Sequence, residues 1–301
     1  MVDHPPGWLV MVSAGLLVGA GFLVVLLLPT LSGLLPSDTI QGSVASGSTS
    51  SGAQQASLRW MDYALLLAVC LPVIVLQFLA GHATITSNPK LARLQLPRRC
   101  QHASSGLLIT VLYLLLPYHI AVGGLGTGFL AFLLLQLLRS RVPEVQARFL
   151  DAFGPLLKEN ERAGAPPAAL WFLGGNLFCF LALPSKLCLA TLLAASFGDP
   201  AAAVIGTLYG GKKLIGSKTS VGSAACFLVS GACGVLAAVI LPSSDSGFTL
   251  TAALPCFLLS GYCFAAAELV GGCMGIDDNL FMQVTGSLAL WALEGIAGTA
   301  R

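Results

Sequence analysis

Between Ser196 and Ser223 the chain reads SFGDPAAAVIGTLYGGKKLIGSKTSVGS, and its strongest candidate chemistry lies here. Asp199 stands at the border of an apolar helix, where an ionisable group is expensive and so points to function. Gly206, Gly210, Gly211 and Gly222 let a backbone approach an anion closely, and Lys212, Lys213 and Lys218 supply charge for phosphates. A plainer use is open to the same residues: Gly206-x-x-x-Gly210 is a helix-packing pattern, and lysines at a span's end snorkel or set topology. Gly206 to Lys212 also has P-loop spacing, but Lys213 takes the place of the required Ser or Thr and no strand precedes it. That motif is excluded.

Two further clusters are polar in an apolar chain. Asp277, Asp278 and Asn279 form a hard-oxygen set suited to Mg²⁺, which binds through one or two carboxylates and substrate phosphates. The alternative is an Asp/Asn turn that caps the last helix. Glu268 lies some two turns upstream and needs a partner if buried. Arg98 and Arg99 precede a span, with His102 at helical reach; they suit bidentate phosphate binding with an orienting donor or base, or else an ordinary basic anchor. Glu294 has no such neighbourhood.

The elements that must position these groups are membrane helices. Of 301 residues, 56% are hydrophobic and 9% charged, with mean hydropathy +0.86; soluble chains carry about 25% charged residues. A net charge of +2 is too small for an electrostatic nucleic-acid binder. The nine cysteines form no C-x-x-C pair and lie mostly in apolar runs, where they act as small hydrophobes. The expected fold is all-α, a polytopic membrane bundle of about nine spans. They fall near 8–28, 61–80, 104–120, 123–138, 168–183, 185–205, 220–241, 249–270 and 280–297. The first is read as a retained helix rather than a cleaved leader.

Charge placement gives sidedness. All Lys and Arg except Arg59, Lys186 and Arg301 fall on the loops after the second, fourth and sixth spans, which the positive-inside rule puts in the cytoplasm. The polar clusters share that face. Residues 143–162 (PEVQARFLDAFGPLLKENER) read as an amphipathic interfacial helix that Gly154-Pro155 should kink or split. Residues 37–57 are Gly/Ser/Gln-rich and read as a flexible loop. Two regions follow: 1–97, two spans with that loop, and 98–301, a catalytic membrane domain.

Read together, the clusters resemble the CTP-dependent lipid kinases: dolichol kinase, phytol kinase and the fungal-type CTP-dependent diacylglycerol kinases, relatives of the phosphatidate cytidylyltransferases. Four segments carry the resemblance, in order: Arg98-Arg99-x-x-His102; Lys158 to Glu161 with Trp171 to Gly175; Gly198-Asp199-Pro200-Ala201-Ala202 through Lys218-x-x-x-Gly222-Ser223; and Asp277-Asp278-Asn279-Leu280. Together they extend from about Arg98 to Gly286. Lys158 stands where the family has Arg, Thr207 where Arg is common, Val221 where an acidic or small residue is frequent, and Gln283 where Pro is usual.

The resemblance implies transfer of the γ-phosphoryl group of CTP to the hydroxyl of a membrane lipid, at the endoplasmic reticulum. It implies that Gly206 to Lys213, Lys218 and Gly222 cradle the triphosphate, with Arg98 and Arg99 at its rim and His102 beside them. Asp199 is expected to bind Mg²⁺ or take the hydroxyl proton, and Asp277, Asp278 and Asn279 to hold metal; Glu161 and Glu268 complete the polar set. The alternatives are a phosphatidate cytidylyltransferase and a membrane transporter.

Overall fold

Proline marks the start of most helices in this chain. It lacks the N–H that a first helical turn leaves unpaired anyway. It stands in the first turn of α1 (Leu96–Leu115) and α3 (Pro143–Phe153), and at the residue before α2 (Tyr118–Arg139), α5 (Ala168–Ala182) and α6 (Ser185–Tyr209). The remaining helices are α4 (Glu159–Arg162), α7 (Ser220–Ile240), α8 (Leu250–Gly271) and α9 (Asp278–Thr299). This computed structural model describes residues 94–241, 250–274 and 276–299. The first two expected spans, the 37–57 loop and nearly all of the N-terminal region lie outside them.

The described residues are helical, with no strand, and helices stand where the other seven expected spans fall. Tyr118–Arg139, Ser185–Tyr209, Ser220–Ile240 and Ala252–Gly271 are long and apolar enough to cross a membrane; Ala168–Ala182 is a shorter apolar helix. The boundary between α1 and α2 falls at Pro117, earlier than expected, because no helix continues through that residue. α6 runs through Pro200 and ends at Tyr209, one turn beyond the expected limit. The interfacial segment splits at Gly154-Pro155 into α3, a 3-10 turn and the short α4.

α6 is the central rod, packed against α7, α1, α9, α8 and α5. Leu189, Leu192 and Leu193 on it are buried with Phe264 of α8 and Met282 and Leu290 of α9. α2 is peripheral. Its Leu130, Leu134 and Leu137 are exposed at i, i+4 and i+7, as expected of a stripe facing acyl chains. Between α7 and α8 small residues permit close contact: Gly231 lies on Phe257, Gly234 on Ser260 and Gly261 on Phe227.

Up-and-down connectivity gathers the starts of α1, α5, α7 and α9 with the ends of α2, α6 and α8. Ion pairs and hydrogen bonds between these ends, given below, fix the arrangement. At the opposite end Lys186 pairs with Glu294 at 3.5 Å, which supplies the partner that the sequence left unassigned.

α1 approaches α6 closely at Gly106. A Cβ built on Gly106 lies 2.5 Å from Ser196 Cβ, so any side chain at 106 forces the helices apart. Overpacking of this kind costs about 1–3 kcal/mol. Gly106→Ala is expected to lower the melting temperature in detergent, and adding Ser196→Gly to restore most of it. Equal melting of Gly106→Ala and wild type refutes the contact.

Candidate functional site

Arg99, His102 and Gly106 recur at i, i+3 and i+7, and so share one face of α1. Because Gly106 seats that face on Ser196 of the antiparallel α6, His102 and Arg99 meet the next turn of α6. His102 Nε2 lies 3.0 Å from the Ala195 carbonyl. A carbonyl only accepts, so Nε2 is the donor. The ring also packs on Phe172, with centroids 4.3 Å apart. Arg99 Nη1 donates to Asp199 Oδ2 at 3.1 Å. The carboxylate, 13% exposed, thus meets a guanidinium from another helix.

Glu161 anchors the interfacial segment. It is 3% exposed and accepts the Lys158 N–H at 2.8 Å and the Ala168 N–H at 3.0 Å, capping both α4 and α5. Arg98 Nη2 approaches the same carboxylate at 3.7 Å. Arg139, at the end of α2, donates to the Glu161 backbone carbonyl at 3.1 Å and lies 4.3 Å over the Phe149 ring. Segment 143–162 is therefore tied to α1, α2 and α5.

Lys218 closes the other side. Its Nζ donates to Glu268 Oε1 at 2.6 Å and to Asp278 Oδ2 at 3.3 Å, joining the 210–219 loop to α8 and α9. Burial works against its ammonium, but Glu268, Asp199 and Asp278 outweigh it and hold its pKa above the ordinary lysine value. Asp277 acts as a helix cap, accepting the Asn279 N–H at 3.0 Å and the Asn279 amide Nδ2 at 2.9 Å. The second bond fixes the amide's orientation and leaves Asn279 Oδ1 as an acceptor. Burial pushes the Asp277 carboxyl above the usual aspartate range, while the Asn279 N–H and Lys158 oppose it.

One pocket lies among these groups. Arg98, Arg99, His102, Lys158, Glu161, Asp199, Asp278 and Asn279 are among its polar lining; Phe132, Phe149, Phe153, Leu156 and Leu157 are among its apolar lining. Two buried guanidinium nitrogens of these residues, Arg98 Nη1 and Arg99 Nε, have no hydrogen-bond partner. Buried donors usually have one.

The other sequence candidates lie elsewhere. Gly206 and Gly222 face each other at the α6–α7 crossing, where a Cβ on Gly222 comes 2.8 Å from the Ala202 carbonyl. Gly210 and Gly211 carry positive φ of 70° and 103° and turn the chain out of α6. Lys212 and Lys213 are exposed on the following hairpin, bridged from Lys213 to Thr219. None of these six lines the pocket, while Lys218 and Glu268 reach it through Asp278. Sequence reading missed the aromatic wall, although Phe149 and Phe153 were visible on the amphipathic face. It also missed a fully buried amide pair one turn deeper, Gln283 Nε2 to Asn176 Oδ1 at 3.3 Å.

Comparison with known proteins bears on this arrangement. The CTP-dependent diacylglycerol kinase 1 of Eremothecium gossypii is 27% identical over 203 residues, 64% of this chain and 63% of the relative. The protein of the same name from Saccharomyces cerevisiae is 29% identical over 138 residues, 45% of this chain and 47% of the relative. These two findings support the resemblance to the CTP-dependent lipid kinases. The chain spans less than two thirds of the length of either relative. No family model and no solved structure matches it.

Removing the Glu161 carboxylate strands two backbone N–H groups and a buried guanidinium. Each unpaired buried group costs about 1–3 kcal/mol. Glu161→Ala is expected to destabilise the detergent-solubilised protein by roughly 3 kcal/mol, with Glu161→Gln intermediate. An unchanged denaturation midpoint in both variants removes Glu161 from this role.

Proposed function

We propose that this chain is a CTP-dependent lipid kinase that transfers the γ-phosphoryl group of CTP to the hydroxyl of a membrane lipid, with diacylglycerol the first acceptor to test. The observation that carries the reading is the pocket itself. Arg98 and Arg99, each with a buried guanidinium nitrogen that has no hydrogen-bond partner, line it together with Asp199 of a membrane helix and five apolar side chains. An anion and a lipid can meet there. The names of the two relatives add the nucleotide and the acceptor.

Phosphoryl transfer asks a protein mainly for positioning and charge stabilisation. Arg98 and Arg99 receive the phosphate tail through Nη1 and Nε. Lys218, held by Glu268 and Asp278, adds charge beside them. The lipid oxygen attacks the γ-phosphorus, the bond from that phosphorus to the β-phosphate oxygen breaks, and CDP leaves. Asp199 takes the hydroxyl proton. His102, fixed by the Ala195 carbonyl, holds the adjoining wall in place.

The donor set also fits Mg²⁺. Among the described residues no three acidic, His or Cys side chains converge to hold a metal alone. Magnesium asks for fewer protein ligands, because substrate phosphates complete its shell. Asp199, Asp278 and the free Asn279 Oδ1 supply hard oxygens on one pocket, with Asp277 orienting Asn279. When bound, the ion would neutralise phosphate charge. We place the site at the cytoplasmic face, where the basic residues gather, and the protein in the endoplasmic reticulum membrane.

The test is incubation of the purified protein in nanodiscs with CTP labelled on the γ-phosphate and a panel of lipid alcohols. Label is expected in phosphatidate when diacylglycerol is offered. Asp199→Asn is expected to lose activity by roughly 10²–10⁴-fold while eluting as a monodisperse species like wild type. Release of labelled pyrophosphate with CDP-lipid formation would instead make it a cytidylyltransferase. Wild-type turnover in Asp199→Asn removes the proton-accepting role.

A further inference from the structure

Much of the pocket's apolar lining comes from a segment that has no need to be there for nucleotide binding. Residues 143–157 leave the end of α2, and their 3-10 turn reaches α1. They form a strap across the site end of the bundle. Its helix α3 is amphipathic, with Val145, Phe149 and Phe153 at i, i+4 and i+8.

The strap is held firmly. Arg139, itself buried, lies over the Phe149 ring, and Phe149 packs on Phe153 with centroids 5.0 Å apart. Gln146 Nε2 donates to the Arg162 carbonyl at 2.9 Å and Arg162 Nε to the Gly154 carbonyl at 3.0 Å, so the break at Gly154-Pro155 is braced from both sides. Phe153 nevertheless stays 36% exposed, at the edge of the pocket.

Phe132 extends the same wall onto α2. On α2 the exposed Leu130, Leu134 and Leu137 form the stripe assigned above to acyl chains. One helix thus presents apolar side chains both to the pocket and to the bilayer. The charged groups Arg98, Arg99, Asp199 and Asp278 line the same pocket. A molecule matching both linings has a polar end and long apolar chains.

We propose that Phe132, Phe149, Phe153, Leu156 and Leu157 form the acyl-chain subsite of the lipid acceptor, so that the strap seats the glyceride chains while its hydroxyl meets Asp199. This rests on the kinase reading above and adds to it which residues recognise the lipid. It also predicts a separation of roles. The wall governs affinity for the lipid, and the charged groups govern affinity for the nucleotide.

The test uses the full chain in detergent micelles, with dioleoyl and dioctanoyl glycerol as acceptors at fixed surface concentration and γ-labelled CTP. Phe132→Ala and Phe153→Ala are chosen because Phe149 is buried against Arg139 and its loss endangers folding. Each is expected to raise KM for dioleoyl glycerol about tenfold, the effect of withdrawing roughly two methylene contacts. KM for CTP should stay within about twofold, since uniform binding of the other substrate is untouched. The penalty should be smaller for dioctanoyl glycerol. A raised KM for CTP with an unchanged lipid KM would assign the wall to the cytosine ring and overturn the proposal, as would no change in either.

A second readout does not depend on turnover. A diacylglycerol bearing a diazirine at the chain end is photolysed with wild-type protein, and the adducts are mapped by mass spectrometry. Adducts on residues 132 and 149–157, competed by dioleoyl glycerol, support the subsite; adducts confined to the outer face of α2 refute it. Absence of label transfer by wild type to every lipid alcohol defeats the kinase reading instead, and the adduct map distinguishes that failure from this one.

Discussion

A charge in hydrocarbon must find a partner, and this constraint orders the site end of the bundle. Arg99 with Asp199 joins α1 to α6, Arg98 with Glu161 joins α1 to the α4–α5 corner, and Lys218 with Glu268 and Asp278 joins a loop to α8 and α9. Removing one member of such a buried pair costs several times what the pair contributes, because the survivor is left uncompensated. The three sets therefore act as mutual constraints on helix position. They also leave donors over. Arginine carries five N–H groups, more than a single carboxylate contact occupies. The leftover nitrogens, Arg98 Nη1 and Arg99 Nε, are unused donors on two residues that line the pocket.

Sidedness follows from connectivity once this is granted. Successive antiparallel helices return alternate ends to one surface, so residues a hundred positions apart, such as Arg99 and Asp199, become neighbours. A lipid substrate suits that geometry. Its reactive hydroxyl sits at the membrane boundary, the same depth at which a helix end can show a carboxylate to water-soluble phosphate. Asp199 is in the second half of α6 rather than at its tip, and its side chain is only 13% exposed.

How much of this was legible in the sequence depended on range. Helix positions followed from apolar runs and from proline, a local property of the backbone, so most of the seven helices came within a few residues of their limits, while α1 starts eight residues before the expected span. The break at Gly154-Pro155 was visible for the same reason. The convergence of Arg98, Arg99, His102, Glu161, Asp199, Asp278 and Asn279 on one pocket came from a resemblance across four segments, since no local rule connects α1 to α6. The glycines show the limit. Gly206 was readable as phosphate cradle or as packing contact, and its approach to Gly222 across α6 and α7 displays the second use. Asp277 showed the same ambiguity, as ligand or cap, and it is seen capping α9 through Asn279. The apolar face of 143–157 was legible, but its meeting with Phe132 of α2 at the pocket was not, because that contact is set by how α2 and α3 pack.

The amide pair beneath the pocket shows how substitutions within such a bundle constrain one another. Gln283 stands where the resembled family usually has proline, and proline needs neither a partner nor a cradle. A glutamine there must be housed. Gly175 provides the room: a Cβ at that position falls 2.7 Å from the Gln283 carboxamide carbon, and Asn176 beside it provides the hydrogen bond. Both amides are fully buried, and Asn176 Nδ2 and Gln283 Oε1 lack partners, so the pair is costly as well as specific. Because Asn176 lies one turn below Phe172, and Gln283 one turn below Asn279, the bond sets the spacing of α5 and α9 directly under the groups that line the pocket. A polar contact at that depth resists sliding of one helix past the other, which apolar packing against lipid alone does not. The position of Asn279 and Asp278 relative to the α5 side of the pocket is thus held by residues that themselves touch no substrate.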